Sequence, residues 1–547
     1  MRKAGFMMNL TVLMLSFFMI LPLKVQSRTV PHLEQQGTAT QLMVDGWPLL
    51  ILGGELGNSS ASSLEYMAPI WPKLVRMHVN TVLVPAYWEL IEPAEGQFNF
   101  TLVDSLILQA RRHDLHLVFL WFASWKNSMS CYAPLWVKSD QIRFPRAKNA
   151  KGESMEMLSC FSGENLKADT RAFTALMHNI KEVDSGHNTV VMIQVENEIG
   201  MIPDARDHSA EADDIFKQPV PSELTDYLYR NREKLVPEFF DMWGKTGFRK
   251  EGSWEQVFGK GLHSEEIFMA WFYARYVNVV ASAGKAEYPL PMYVNAALIR
   301  PDYKPGQYPS AGPLPHIMDV WQAGAPSIDF LSPDIYFPNF AEWCGKYHRS
   351  GNPLFIPEAA GGHTAAVNVL YAIGNHDAMG FCPFSIESTK DPENDPLTQS
   401  YDILTQLSPL ILENQGKGRM AGVLVDGENT QKRVKLGDYT FVCTHEYTSK
   451  WTSRSTQGDT WPRMGCLIIQ IARDEFVIAG SGVIVTFEPA EPGAFIAGIG
   501  AIDEGHYADG HWIPGRRMNG DQSHQGRHMR LSNWKFGIQR IILYRYQ

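Results

Sequence analysis

Val190-Val-Met-Ile-Gln-Val-Glu-Asn-Glu-Ile-Gly200 reads as a strand that runs out into acids. Its opening residues are apolar and rich in β-branched side chains, the composition of a strand covered on both faces in a parallel sheet or barrel. Glu198 stands where that strand ends. Pro353-Leu-Phe-Ile-Pro-Glu-Ala-Ala-Gly-Gly362 repeats the arrangement with Glu358. Burying a carboxylate without a partner is costly, so an acid at the mouth of a dry strand more often faces a cleft where its pKa can be tuned.

Outward from these two runs, further short apolar segments recur at Leu49 to Gly53, Thr81 to Pro85, His116 to Phe122, Pro291 to Asn295, Ile328 to Ile335 and Gly380 to Ile386. Between them lie segments with apolar residues at helical spacing: Ser63 to Met77, Leu102 to Arg112, Thr170 to Val183 and Ile267 to Ala283. Strand then helix, eight times over, predicts an α/β fold of the (β/α)8 TIM barrel type. The working face of such a barrel lies at the carboxyl ends of its strands, where both acids fall. Residues 123–168 and 201–265 read as irregular insertions, rich in Pro, Gly and charge, that fold over the mouth. From Gly416 the texture changes to brief β-rich runs such as Ala421-Gly-Val-Leu-Val and Glu475-Phe-Val-Ile-Ala, ending in Gly537 to Tyr546. These predict a smaller C-terminal antiparallel β-sandwich domain. The expected division is a leader at 1–27, the barrel at 28–415 and the sandwich at 416–547.

Length and composition agree with two folded units: 547 residues exceed what one hydrophobic core usually supports, and 45% hydrophobic content is that of a globular chain. A formal charge of −10 without a long Lys/Arg run argues against nucleic acid as a partner. Arg2 and Lys3 precede an apolar stretch from Phe6 to Leu23, broken by Asn9 and Pro22, and then Val25-Gln-Ser27. This is the layout of a secretory signal cleaved after Ser27, which predicts export to the periplasm or the medium, with no stable membrane insertion afterwards. Six Cys without a Cys-x-x-Cys pair make neither a disulfide scaffold nor a zinc site. Cys131 with Cys160 and Cys443 with Cys466 are the nearest pairs, and free thiols are an equal alternative. His506, His511, His524 and His528, interleaved with acids, fit no metal motif and read as packed or solvated loops. A homo-oligomer stays open.

Two facing acids can break an acetal. One carboxyl protonates the leaving oxygen and the other meets the developing oxocarbenium carbon, with neither metal nor cofactor. Glu198 after the fourth strand and Glu358 after the seventh stand on opposite sides of one cleft. Asn197 can hold a sugar 2-hydroxyl, and Asn295 ends the fifth strand. Glu196, nearer the strand interior, reads as structural, paired with an Arg behind the site. Fifteen Trp and 12% aromatic residues offer flat apolar faces suited to sugar rings, with Trp121 and Trp125 near the end of the third strand. The expected partner is a carbohydrate.

Gln194-Val-Glu-Asn-Glu-Ile-Gly200 and Tyr87-Trp-Glu-Leu-Ile-Glu-Pro93, followed by Gly96-Gln-Phe-Asn-Phe100, resemble motifs of clan A glycoside hydrolases, and more narrowly of the family 35 β-galactosidases. The resemblance runs over roughly residues 40–410. It implies Glu198 as acid/base, Glu358 as nucleophile, Tyr87 and Asn197 in the sugar subsite, and Tyr336 steadying the nucleophile. Where that family usually carries a Glu before Trp after strand 3, this chain has Ala123-Ser-Trp125, so one sugar-binding carboxylate is missing. The implied activity is a retaining exo-β-galactosidase. The alternatives are another exo-β-glycosidase (β-glucosidase or β-glucosaminidase), a carbohydrate-binding protein without catalysis, and a structural surface protein. Retention needs carboxyls about 5 to 5.5 Å apart, inversion about 6.5 to 9.5 Å.

Overall fold

A computed structural model of the protein describes residues 29–349, 351–449, 461–493 and 495–547. The expected leader at 1–27 lies outside them. Eight parallel strands close into a barrel: β1 Ile51–Glu55, β2 Thr81–Tyr87, β3 His116–Lys126, β4 Val190–Asn197, β5 Met292–Ala297, β6 Phe330–Ile335, β7 Phe355–Ala359 and β8 Gly380–Pro383. Each overlaps a run read from the sequence. Closure is made by β8 on β1, with Gly380 opposite Ile51 and Phe381 opposite Leu52. All but a few of the strand residues are buried, which is why these runs lack the apolar/polar alternation of a half-exposed strand.

The helices agree in position and differ at their ends. The segment Ser63 to Met77 is two helices, Leu64–Met67 and Ile70–Arg76, because Pro69 interrupts it; the Ser63 hydroxyl caps the first by accepting from the Tyr66 N–H. Thr170 to Val183 and Ile267 to Ala283 are the inner parts of the longer helices Gly163–Asp184 and Leu262–Glu287. Residues 201–265, expected to be irregular, contain the short helices Ala210–Phe216, Ser222–Arg230, Pro237–Gly244 and Trp254–Phe258. Each is too brief for its periodicity to rise above the intervening Pro and Gly. A three-stranded sheet, His32–Gln36, Ala39–Val44 and Trp47–Leu49, was not anticipated. It lies by the start of β4, where the Asn188 side chain donates to the Thr29 carbonyl and to Asp45, and so covers the end of the barrel opposite the acids.

Beyond Met420 two antiparallel sheets face one another. The larger orders Met420–Val425, Met464–Ala472, Glu475–Ser481, Gly537–Tyr546, Ile496–Ala508 and His511–Arg517; the smaller orders Gln431–Leu436, Tyr439–His445, Val483–Pro489 and Met529–Arg530. Strand period 2 explains the packing. Cys466 and Ile468 point into the sandwich core with Phe441 and Val485, while Leu467 and Ile469 point the other way and join the barrel core. Strands Met464–Ala472 and Glu475–Ser481 of the larger sheet are therefore buried on both faces, whereas its edge strand His511–Arg517 is mostly exposed. Helix Gly362–His376 lies on the sheet's outer face, so closely that a Cβ at Gly422 would come within 2.5 Å of the Tyr371 carbonyl oxygen. All six cysteines are free, with Cys443 and Cys466 adjacent inside the sandwich. Where loops were expected around the four histidines, His506 and the acids Asp503 and Glu504 lie in strand Ile496–Ala508 and His511 opens strand His511–Arg517; Asp503 and Glu504 are paired with Arg517 and Arg516. No helix of the described residues is long and apolar enough to cross a membrane.

Candidate active site

Strand β4 is bent at its end. Glu196 and Glu198 have φ of 61° and 44°, a region non-glycine side chains enter at a cost of about 1–2 kcal/mol. Asn295 on β5 holds the bend, its Oδ1 accepting the Glu198 N–H at 3.0 Å. At the end of β3, Asn127 and Ser128 also have positive φ and form a tight turn closed between Lys126 and Met129. The turn aims the Asn127 amide at Glu198 Oε2, to which it donates.

Glu358 sits inside β7 near its end, in register with Asp334 on β6. Its Oε2 accepts from the Tyr336 hydroxyl at 2.8 Å, and its Oε1 from Asn197 at 3.3 Å and Asn295 at 3.5 Å. Asn197 Oδ1 in turn accepts from the buried Lys126 ammonium at 2.8 Å. One carboxylate oxygen from each of Glu198, Asp334 and Glu358 lies within 4.8 Å of the others. Among the described residues, these three are the acids placed closely enough together to hold a cation. Tyr336, Asn197, Asn295 and Asn127 already direct donors at Glu198 and Glu358, the arrangement that proton transfer and nucleophilic attack require.

The charges are crowded. Glu198 and Glu358 are only 6% and 4% exposed, and Glu55, at the end of β1, is fully buried with no donor on either oxygen. Burial, followed by the charge of Glu358, pushes the Glu198 carboxyl up to about 7, against the opposing pull of Lys126 and of hydrogen bonds from Asp334 and Asn127. Burial first and neighbouring acids second raise Asp334 and Glu55 well above the carboxylate range. Lys126 is the one basic side chain that opposes the shifts of Glu55 and Glu198.

The sequence-predicted residues divide. Glu198, Glu358, Asn197, Asn295 and Tyr336 converge, and Tyr336 is 46% exposed at the mouth. Tyr87 lies in the wall against Phe122 and Tyr132, its hydroxyl donated to the Asn58 carbonyl at 2.7 Å rather than held free for a sugar. Trp121 and Trp125 are fully buried and present no face to a ligand. The Trp121 N–H donates to Asp169, and Trp125 packs on Tyr273 and Tyr276. Near a strand end, the inward or outward aim of an aromatic ring depends on the bend of the strand, which composition does not reveal.

Glu196 makes structural contacts, but among the described residues its partners are Asp169 and the backbone of Ser124 and Trp125 rather than the expected Arg. Its oxygens accept from the backbone N–H of Ser124 at 3.3 Å and Trp125 at 2.7 Å, and it shares a proton with Asp169, which also accepts from Ser124, Trp121 and Tyr276. Two buried carboxyls in contact cannot both ionise, so one proton bridges them and burial raises Glu196. Through Ser124 and Trp125 this layer anchors the turn that carries Lys126 and Asn127. Glu196→Leu, which leaves two buried N–H groups without acceptors, is expected to cost about 2–6 kcal/mol in urea unfolding, and Glu196→Gln about 1 kcal/mol or less. Equal losses would contradict the anchoring role.

Glu55, Lys126, Asn127 and Asp334 were missed. For Glu55 and Asp334 a signal existed: both are acids at the carboxyl ends of barrel strands, in Gly53-Gly-Glu55 and Ser332-Pro-Asp334, and meet the criterion that singled out Glu198. Lys126 and Asn127 gave no signal, because the sequence does not mark the left-handed turn that aims them.

A family model described as beta-galactosidase, that of glycoside hydrolase family 42, matches residues 65–257, and one described as a domain of unknown function (DUF5597) matches residues 397–530. Family 42 is a clan A family, so the clan-level resemblance is supported and the narrower one to family 35 is not. No curated protein matches. Among solved structures, the chain is similar to a β-galactosidase from the psychrophilic Marinomonas ef1, with 12% identity, TM-score 0.45, and coverage of 68% of this chain and 62% of that one. It is also similar to a β-galactosidase from Rahnella sp. R3 (14%, TM-score 0.46, 66% and 57%) and to the catalytic domain of a β-amylase from Paenibacillus polymyxa (12%, TM-score 0.45, 63% and 94%). The chain thus spans less than two thirds of the length of the first of these relatives.

Proposed function

We propose that the protein is a retaining exo-β-glycosidase, and a β-galactosidase in particular, removing terminal β-galactosyl residues from complex oligosaccharide or polysaccharide side chains. One observation carries the reading. One carboxylate oxygen of Glu198 and one of Glu358 lie within 4.8 Å of each other across the barrel mouth, a facing pair that fits the carboxyl separation of about 5 to 5.5 Å of a retaining enzyme better than the about 6.5 to 9.5 Å of an inverting one. Glu358, steadied by Tyr336, Asn197 and Asn295, is the nucleophile. Glu198 gives its proton to the leaving oxygen, and when the glycosyl-enzyme removes the charge of Glu358, its affinity for protons falls and it serves as base toward water.

Galactose is supported by the β-galactosidase model over residues 65–257, and the family 35 reading by the two quoted motifs alone. Export is supported by the signal-like run before Ser27. The deciding experiment is hydrolysis of a panel of aryl β-glycosides, with the anomer of the first product followed by NMR. β-Galactoside cleaved with a β first product is expected; preference for a β-glucoside or β-glucosaminide would reassign the sugar, and an α first product would end the retaining mechanism. A binding protein without catalysis would give no covalent adduct on Glu358 with a 2-fluoro glycoside.

The pH profile follows from Glu198. The acid must enter the cycle protonated, so kcat/KM is expected to hold below pH 7 and to fall as pH rises through about 7. A profile still flat at pH 9 would contradict the assignment.

A further inference from the structure

Two buried acids of the mouth, Glu55 and Asp334, have no task in the double displacement, and Asp334 is the one that meets the acid/base. It is 2% exposed. Its Oδ2 accepts from Asn295 Nδ2 at 2.7 Å, while its Oδ1 has no donor. The same Asn295 accepts the Glu198 N–H, so one amide ties the two acids together. A carboxylate oxygen of Asp334 lies within 4.8 Å of those of Glu198 and Glu358, and Asp334 and Glu198 are within hydrogen-bond reach.

An ionised Asp334 would bury an unpaired oxygen among like charges. It faces Glu358 from β7, Glu198 after β4 and Glu55 from β1, with the hydroxyls of Tyr293, Tyr336 and Tyr347 around it. Lys126 on β3, the cation that acts on Glu55 and Glu198, donates to Asn197. A proton on Oδ1 turns the orphan acceptor into a donor, and Glu198 is the acceptor in reach.

We propose that Asp334 is a positioning residue that keeps its proton through the cycle and donates a hydrogen bond to the Glu198 carboxylate formed when the leaving group departs. The proton count closes. The proton of Glu198 leaves with the aglycone, and that of Asp334 stays on its own oxygen. In the second step, water gives one proton to Glu198 as its oxygen bonds the anomeric carbon and Glu358 is released.

The inference rests on the glycosidase reading, and the test separates the two. Wild type, Asp334→Leu and Asp334→Asn are compared on a 2,4-dinitrophenyl glycoside, whose leaving group needs no proton, and on a 4-methoxyphenyl glycoside, which does. Asp334→Leu is expected to lose about 10- to 100-fold on the second substrate, the rate equivalent of one hydrogen bond to a charged oxygen, and little in the glycosylation step of the first. Its alkaline limb should move up by about one pH unit. Asp334→Asn keeps a donor, so its loss should stay within about 10-fold, with the limb near that of wild type. Equal losses of Asp334→Leu on both substrates, or an Asn variant as impaired as the Leu variant, would overturn the proposal. If Asp334→Leu does not fold, a loss beyond about 100-fold in Asp334→Asn overturns it instead. Wild type inactive on every glycoside would refute the enzyme reading and not this assignment alone.

Discussion

Glu358→Gln is expected to lower hydrolysis by at least about 10^4-fold, the scale on which loss of a covalent nucleophile acts in other enzymes. The amide keeps the volume of the side chain: its oxygen can still accept from Asn197 and Asn295, and the Tyr336 hydroxyl can turn to accept from its NH2, so the fold should survive. What it cannot do is form the ester with the anomeric carbon. Glu358→Gly opens room for a substitute, and azide should then attack from the vacated side to give the α-glycosyl azide, identified by NMR. Full turnover in a correctly folded Gln variant, with an unchanged melting transition, would remove Glu358 from the mechanism and the retaining assignment with it.

Glu198→Gln is expected to divide substrates by their leaving groups. With a poor leaving group, loss of the proton donor should cost about 10²- to 10⁴-fold. With a 2,4-dinitrophenyl glycoside, glycosylation should proceed at close to the normal rate, but the same variant lacks the base for the second step. A burst of dinitrophenol followed by slow turnover is the expected trace, with the glycosyl-enzyme detectable by mass. Azide, which needs no base, should restore turnover and give the β-glycosyl azide. The fall in activity above pH 7 should vanish, since it belongs to Glu198. A uniform loss across leaving groups, with that fall retained, would mean that another group donates the proton; Asp334, within 4.8 Å, would be the first to examine.

In these variants the fold is not at stake, because the mouth adds little to the core. The barrel is held by its strand interiors and by the helices around them, while the acids sit at strand ends in a layer of polar contacts. Crowding Glu55, Glu198, Asp334 and Glu358 around Lys126 is an arrangement that stability alone would not favour. Such a layer is tolerated where chemistry uses it.

The sequence by itself determined the barrel, the β-sandwich and the two acids that face each other. Burial on both faces forces each barrel strand to be a short, continuous apolar run, and that constraint is visible in one dimension. An acid ending such a run is equally visible, which is why Glu198 and Glu358 could be read, and why Glu55 and Asp334, which meet the same criterion, were within reach. Only the tertiary structure decided the rest. Whether Trp121 and Trp125 face a sugar or a helix depends on how the strand bends, and the left-handed backbone at Glu196 and Glu198 is written in no local preference of Glu. The partner of Glu196 is Asp169, from a helix that other residues place beside it, so the shared proton between them is a property of the assembled core. Local patterns record what each segment must bury, whereas charge, pKa and aim depend on which segments meet.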